Sequence, residues 1–230
     1  MNVFEIIGPV MVGPSSSHTA GAVKMACVSR KLLGEKPANA KILLHGSFLS
    51  TGRGHGTDKA LIAGLLGYSV DDARIPDSFR YAKEEGLTFS FGAINLGEMA
   101  HPNSAKLILT GVSGKKLEIV AASIGGGRIR IEEIDGLKAN FSGDYPTLIV
   151  HNQDQPGHVA EVTTMLQHHF VNIASMQLYR SRRGGSAVMV LECDQEIPEE
   201  PRKWLMHLEG VTKVTYLSLI DPEEREGVNV

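Results

Sequence analysis

Cysteine is nearly missing: Cys27 and Cys193 are the two thiols in a chain of 230 residues. They form no C-x-x-C pairing, so neither a zinc site nor a disulfide framework is expected. An iron–sulfur cluster takes about four thiolates, or three with an open iron, so this chain is not expected to hold a cluster or any metal by itself. Long apolar runs are also missing. Arg30-Lys31 and Lys41 interrupt the early apolar stretches, and none reaches the ~18–20 residues of a membrane helix. No membrane segment is expected. Met1-Asn2-Val3-Phe4-Glu5 has an acid where a secretory leader carries its basic region, which points to the cytoplasm. Excess charge of one sign is absent too, with a formal net charge of -3. Arg180-Ser181-Arg182-Arg183 is the basic cluster, and Gly184-Gly185 beside it reads as a hairpin tip rather than a nucleic-acid surface. Nucleic acid is not an expected partner.

What remains is an ordinary globular composition, 42% hydrophobic and 21% charged, long for one average domain and sufficient for two small ones. Val3–Ile7 reads as a short strand or an extended lead-in, and Gly8–Ser17 as a loop. From His18 to Leu33, Ala22, Met25, Ala26, Ser29 and Leu33 fall on one helical face, with serines as N-cap oxygens and Gly34 as the stop. Lys41–Phe48 reads as a strand that runs into a glycine-rich loop over Gly46–Gly56. A helix capped by Thr57 buries Leu61, Ile62, Leu65 and Leu66, and another spans about Ser78 to Glu85. Strands follow at 87–91, 106–109, 116–121, 128–132 and 137–140. Helices before strands predict an α+β domain over residues 1–142.

Residues 142–146 are the expected joint. Beyond it the order is strand (Thr147–His151), helix after Pro156, hairpin (Val171–Tyr179 and Ser186–Cys193), helix (about Glu199–Leu208) and strand (Val211–Leu219). Val159, Val162, Thr163, Leu166 and Phe170 are expected on the buried face of the first helix, and Trp204, Leu205 and Leu208 inward on the second. This is a ferredoxin-like βαββαβ unit over 147–220, followed by a flexible tail, 221–230.

The chemistry concentrates in two histidine loops. His18 closes Gly-Pro-Ser-Ser-Ser-His-Thr, and His55 closes Thr-Gly-Arg-Gly-His-Gly-Thr, each expected at a helix start. Small residues let a ligand approach the backbone, and a helix N-terminus suits a carboxylate while lowering a histidine's pKa. Two neutral imidazoles could therefore meet on one amino-acid substrate, one taking a proton. A phosphate loop is not supported, because Gly52-x-Gly54-x-Gly56-Thr57 lacks the G-x-G-x-x-G spacing. A hydrolase elbow G-x-S-x-G is lacking as well.

Gly8-Pro9 with Gly13-Pro14-Ser15-Ser16-Ser17-His18-Thr19, Gly46-Ser47 with Thr51-Gly52-Arg53-Gly54-His55-Gly56-Thr57-Asp58, and His101-Pro102-Asn103 resemble the signatures of iron–sulfur L-serine dehydratases, in the same order. Asn152-Gln153-Asp154-Gln155-Pro156-Gly157 resembles the strand-to-helix turn of ACT domains. The resemblance implies a serine-dehydratase β-type domain, akin to allosteric substrate-binding domains, followed by an ACT domain. It implies deamination of L-serine to pyruvate and ammonia, with a four-iron four-sulfur cluster on a partner α subunit. Carried over residue by residue, His55 and His18 are catalytic, with His55 the first choice of base. Ser15, Ser16, Ser17, Thr19, Gly54, Thr57, His101 and Asn103 bind substrate. Asn152, Asp154 and Gly157 mark an ACT ligand site, and dimerisation through the ACT domain is expected. The alternative is a non-catalytic amino-acid sensor, since the first domain also resembles the effector-binding domain of some phosphoglycerate dehydrogenases.

Overall fold

The computed structural model describes residues 10–220; the expected strand or lead-in at 3–7 and the tail 221–230 lie outside the described residues. The chain divides into two compact units, Met1–Gly136 and Leu137–Val230.

In the first unit a π turn, Ser16–Ala20, leads into α1 (Gly21–Leu33). There follow β1 (Pro37–Leu44), α2 (Gly46–His55), α3 (Thr57–Leu66), α4 (Ser78–Glu84) and β2 (Thr88–Ala93). The unit closes with β3 (Ser104–Gly111), β4 (Lys116–Gly125) and β5 (Arg128–Ile134). Strand order is β2-β1-β3-β4-β5. β1 and β2 run parallel, joined by α2–α4, and the other neighbours are antiparallel. Period-2 alternation buries Ala40, Ile42 and Leu44 on β1 and Ala105, Leu107 and Leu109 on β3. α1 packs between this sheet and α3, and its Ala22, Met25, Ala26, Ser29 and Leu33 are all fully buried. Each large side chain so buried contributes about 1.5–3 kcal/mol.

One expectation fails here. Residues 46–55 are a helix, not a loop, and the strand before them ends at Leu44. Glycines disfavour helix by about 1 kcal/mol each relative to alanine, but tertiary contacts win. Phe48 is fully buried. The Ser47 and Phe48 N–H groups donate to the Pro102 carbonyl at 2.7 and 3.4 Å. Thr57 opens α3 without a side-chain cap bond.

The second unit contains β6 (Leu137–Phe141), β7 (Thr147–Gln153), α5 (His158–His168), β8 (Ile173–Arg180), β9 (Ser186–Cys193), α6 (Glu199–Leu205) and β10 (Val211–Leu217). Its sheet, β10-β7-β9-β8, is antiparallel throughout, giving the expected ferredoxin-like arrangement. Leu148, Val150, Val162, Leu166, Met189 and Leu205 form its core. On the helices Val162, Leu166 and Leu205 lie in the core and Leu208 packs against it, as expected, whereas other positions differ. His158, Val162, Met165 and Leu166 face inward, whereas Val159 is 40% and Phe170 91% exposed. On α6, Pro201 and Leu205 turn inward and leave Trp204 45% exposed. Residues 142–146 are tied into this unit: Ser142 donates through N and Oγ to Glu192, and the Pro146 carbonyl accepts from Cys193 N.

Candidate active site

The π turn and α2 bring the two histidines together, with ring centroids 4.9 Å apart. A π turn inside a helix start widens the backbone, a device frequent at functional sites. Ser15 Oγ caps the turn by accepting from His18 N at 3.1 Å. The His18 ring lies edge-on to Phe48, centroids 5.3 Å apart. Its Nε2 stands 3.1 Å from both Ser47 Oγ and Thr51 Oγ1, and its Nδ1 faces Ser15 Oγ at 3.5 Å. The Thr51 hydroxyl donates to Ser47 O at 2.9 Å, so toward His18 its oxygen accepts. That favours the Nε2–H tautomer of a neutral imidazole.

Burial, and then the neighbouring His55, hold the His18 pKa below its ordinary value, partly offset by a hydrogen bond to the Ser47 backbone. The direction matches the sequence expectation; the cause does not, since burial rather than a helix N-terminus leads. His55 is the last residue of α2, not the start of the next helix. It is exposed, and among the described residues its ring has no hydrogen-bond partner.

The other expected residues separate into two groups. Ser15 reaches His18, whereas Ser16 and Ser17 are half-buried in the turn. Thr19 is a strut, its Oγ1 donating to His55 O at 3.2 Å. Thr57 is fully buried with Oγ1 unpartnered. His101 and Asn103 flank the proline that holds α2; His101 Nδ1 accepts from Asn103 N at 3.1 Å, and Asn103 Oδ1 is buried without a partner. Gly54 sits exposed in the last turn of α2.

In the second unit, Gly157 (φ 108) precedes α5. Asn152 is buried with Oδ1 unpartnered. Asp154 is committed elsewhere: its Oδ2 accepts from Gly184 N and Arg180 Nη1, each at 3.0 Å, clasping the hairpin tip. These bonds, the Gly184 N–H foremost, hold its carboxyl below the usual range.

This geometry can be set beside known proteins. The family profile described as "Serine dehydratase beta chain" matches residues 2–134, and that described as "ACT domain" matches residues 146–203. The chain is 37% identical over 218 residues to "L-serine dehydratase, beta chain" of Peptoniphilus asaccharolyticus, covering 95% of this chain and 98% of that one. It is 38% identical over 217 residues to "Probable L-serine dehydratase, beta chain" of Bacillus subtilis (strain 168), covering 94% and 98%. A "D-3-phosphoglycerate dehydrogenase" of the same organism is 30% identical over 165 residues, 70% of this chain and 30% of that one. The chain belongs to the serine dehydratase β-chain family. Its second unit carries an ACT domain.

Ser47 and Thr51 stand in the family-like strings, but sequence reasoning gave neither a role; they are the hydroxyls that fix His18. Their signal was a serine and a threonine four apart, on one face if the segment is helical. It also passed over Ser123, fully buried with an unpartnered Oγ. His158, which the sequence places beside the Pro-Gly turn of the second unit as a candidate ligand-site residue, is buried with Nδ1 3.3 Å from Glu161 Oε2 but not aligned for a hydrogen bond. The donor set does not fit an iron–sulfur cluster. Cys27 donates to Tyr68 O, and burial pushes the Cys193 thiol up to about 11. Among the described residues no group of three metal-ligating side chains converges.

Proposed function

We propose that this chain is the β subunit of a two-chain L-serine dehydratase that converts L-serine to pyruvate and ammonia in the cytoplasm. The observation that carries the reading is the imidazole pair, with one ring fixed and neutral and the other open. A thiolate-rich α subunit would bring the four-iron four-sulfur cluster, which in this family supplies Lewis acidity at the substrate hydroxyl. The work of this chain is positioning and proton movement. His18, locked by Ser15, Ser47 and Thr51, presents a neutral ring and polar hydroxyls to the amino acid's charged end. His55 stands open beside it and takes the α-proton. Asn103 and the 101–103 turn support the same wall, and the three serines line the approach.

The ACT unit is read as regulatory and dimer-forming. Asn152 and the N–H groups after Gly157 offer a small carboxylate a place at the start of α5. Asp154 holds the hairpin tip rather than the ligand. β8 ends the sheet, and its Met176 and Leu178 pair with the core residues Leu191 and Met189 yet stay 36% and 48% exposed. A second copy would cover them. The likeness to D-3-phosphoglycerate dehydrogenase over 70% of the chain supports a second reading, a sensor without catalysis.

Reconstitution with a cysteine-bearing α chain separates the two. His55→Ala should lower serine turnover by about 10²–10⁴, the range for losing an acid–base group, with iron content unchanged. Full activity in both His18→Ala and His55→Ala would leave the sensor reading.

A further inference from the structure

Three glycines lie within α2, and this chain explains two of them. Gly46 has φ 54, and a Cβ there would stand 2.6 Å from the Pro102 carbonyl oxygen. A Cβ on Gly52 would stand 3.2 Å from Thr57 Cβ. Gly54 is different. Its backbone is helical rather than left-handed, it is exposed, and among the described residues nothing lies within 4 Å of where its Cβ would be. Alanine would favour this helix, by up to about fivefold in the folding equilibrium. Among the described residues, nothing accounts for the cost of a glycine at position 54.

The position of that bare backbone matters. Ser47, Ser50, Thr51 and Gly54 follow the i, i+3, i+4, i+7 spacing of one helix face, and two of these hydroxyls flank His18 Nε2. Beside that face stand Leu49, 48% exposed, and Arg53, also exposed and without an ion-pair partner among the described residues. A glycine permits another backbone to approach a helix closely.

We infer that the outward face of α2, centred on Gly54 and bordered by Leu49 and Arg53, is the docking surface for the α chain. Gly54 is the point of closest approach, so the arriving chain forms the wall opposite the imidazole pair. Its contacting surface is apolar opposite Leu49 and acidic opposite Arg53. This rests on the β-subunit reading, whose family name already implies an α partner. It removes Gly54 from the substrate contacts and gives it to the subunit interface.

The test uses the full chain with Gly54→Ala and Gly54→Leu, read by thermal melting alone and by calorimetric titration with the α chain. Gly54→Ala should melt about 1–4 °C higher than wild type, since the helix gains propensity and loses no internal contact. Gly54→Leu should weaken α-chain binding at least about tenfold, with alanine intermediate. Binding within twofold of wild type for both variants would overturn the assignment. A lower melting temperature for Gly54→Ala would assign the space to this chain's own segment before residue 10. Unchanged α-chain binding with a raised KM for serine would assign it to substrate. A wild-type chain that binds no α chain would remove the subunit reading itself, and this assignment with it.

Discussion

At the scale of single residues, the state of His18 decides what the pair can do. Its pKa lies below 6.5 because burial disfavours the imidazolium, and His55 adds to that. Since the unfolded chain binds the proton more readily, the stability linked to His18 is fully present above about pH 6.5. It is lost as pH falls from there toward the folded value. Following the ring carbons by NMR should show His18 titrating below 6.5, and His55→Ala should move that titration upward without bringing it to 6.5. A titration unmoved by the substitution would separate the rings electrically and weaken the shared pocket. The sequence made the two histidines legible because each closes a string of small residues. It could not show that Ser47 and Thr51 hold His18, because that contact spans 29 and 33 positions and depends on a helix the glycines disguise.

At the scale of elements, the ferredoxin-like order was readable from periodicity, because each strand and helix of that unit carries its own turn signals. α2 was not readable. Its stability comes from Phe48 and from the Pro102 carbonyl, which no local window contains. The edges of the buried faces of α5 and α6, at Val159, Phe170 and Trp204, were misread for a related reason, since the exact register of a short helix is set by what it covers. Val162, Met165 and Leu166 meet the sheet, and Phe170 falls beyond the helix with φ 55. The dependence of α2 on one proline carbonyl has a measurable consequence. Gly46→Ala places a side chain against that carbonyl at a positive φ, so it should destabilise the fold by about 2 kcal/mol or more. That lowers the melting temperature by about 4–8 °C for a chain of this size. A variant that melts like wild type would show that the turn can move away without cost.

At the scale of the whole molecule, each unit buries a core of its own, but each leaves a face whose chemistry asks for another chain. In the ACT unit that face is β8. An edge strand with apolar residues and no proline or lysine to block pairing is a template for another strand. Antiparallel pairing of β8 with its own copy about Gln177 would set Met176 of one chain against Leu178 of the other. That matches apolar with apolar at the centre, and sets Gln177 against its own copy and Ser175 against Tyr179. Phe170, 91% exposed just before the strand and held at a left-handed φ that costs a non-glycine residue about 1–3 kcal/mol, is consistent with a contact at this end. Light scattering of the wild-type chain at micromolar concentration should give a dimer. The double variant Met176→Lys, Leu178→Lys should give a monomer with unchanged far-ultraviolet circular dichroism, because both side chains reach water within one chain and a lysine there can extend its ammonium into solvent. A double variant that stays dimeric would move the interface elsewhere. A wild-type chain that is monomeric, with or without serine, would leave the exposed β8 residues without a partner of their own kind.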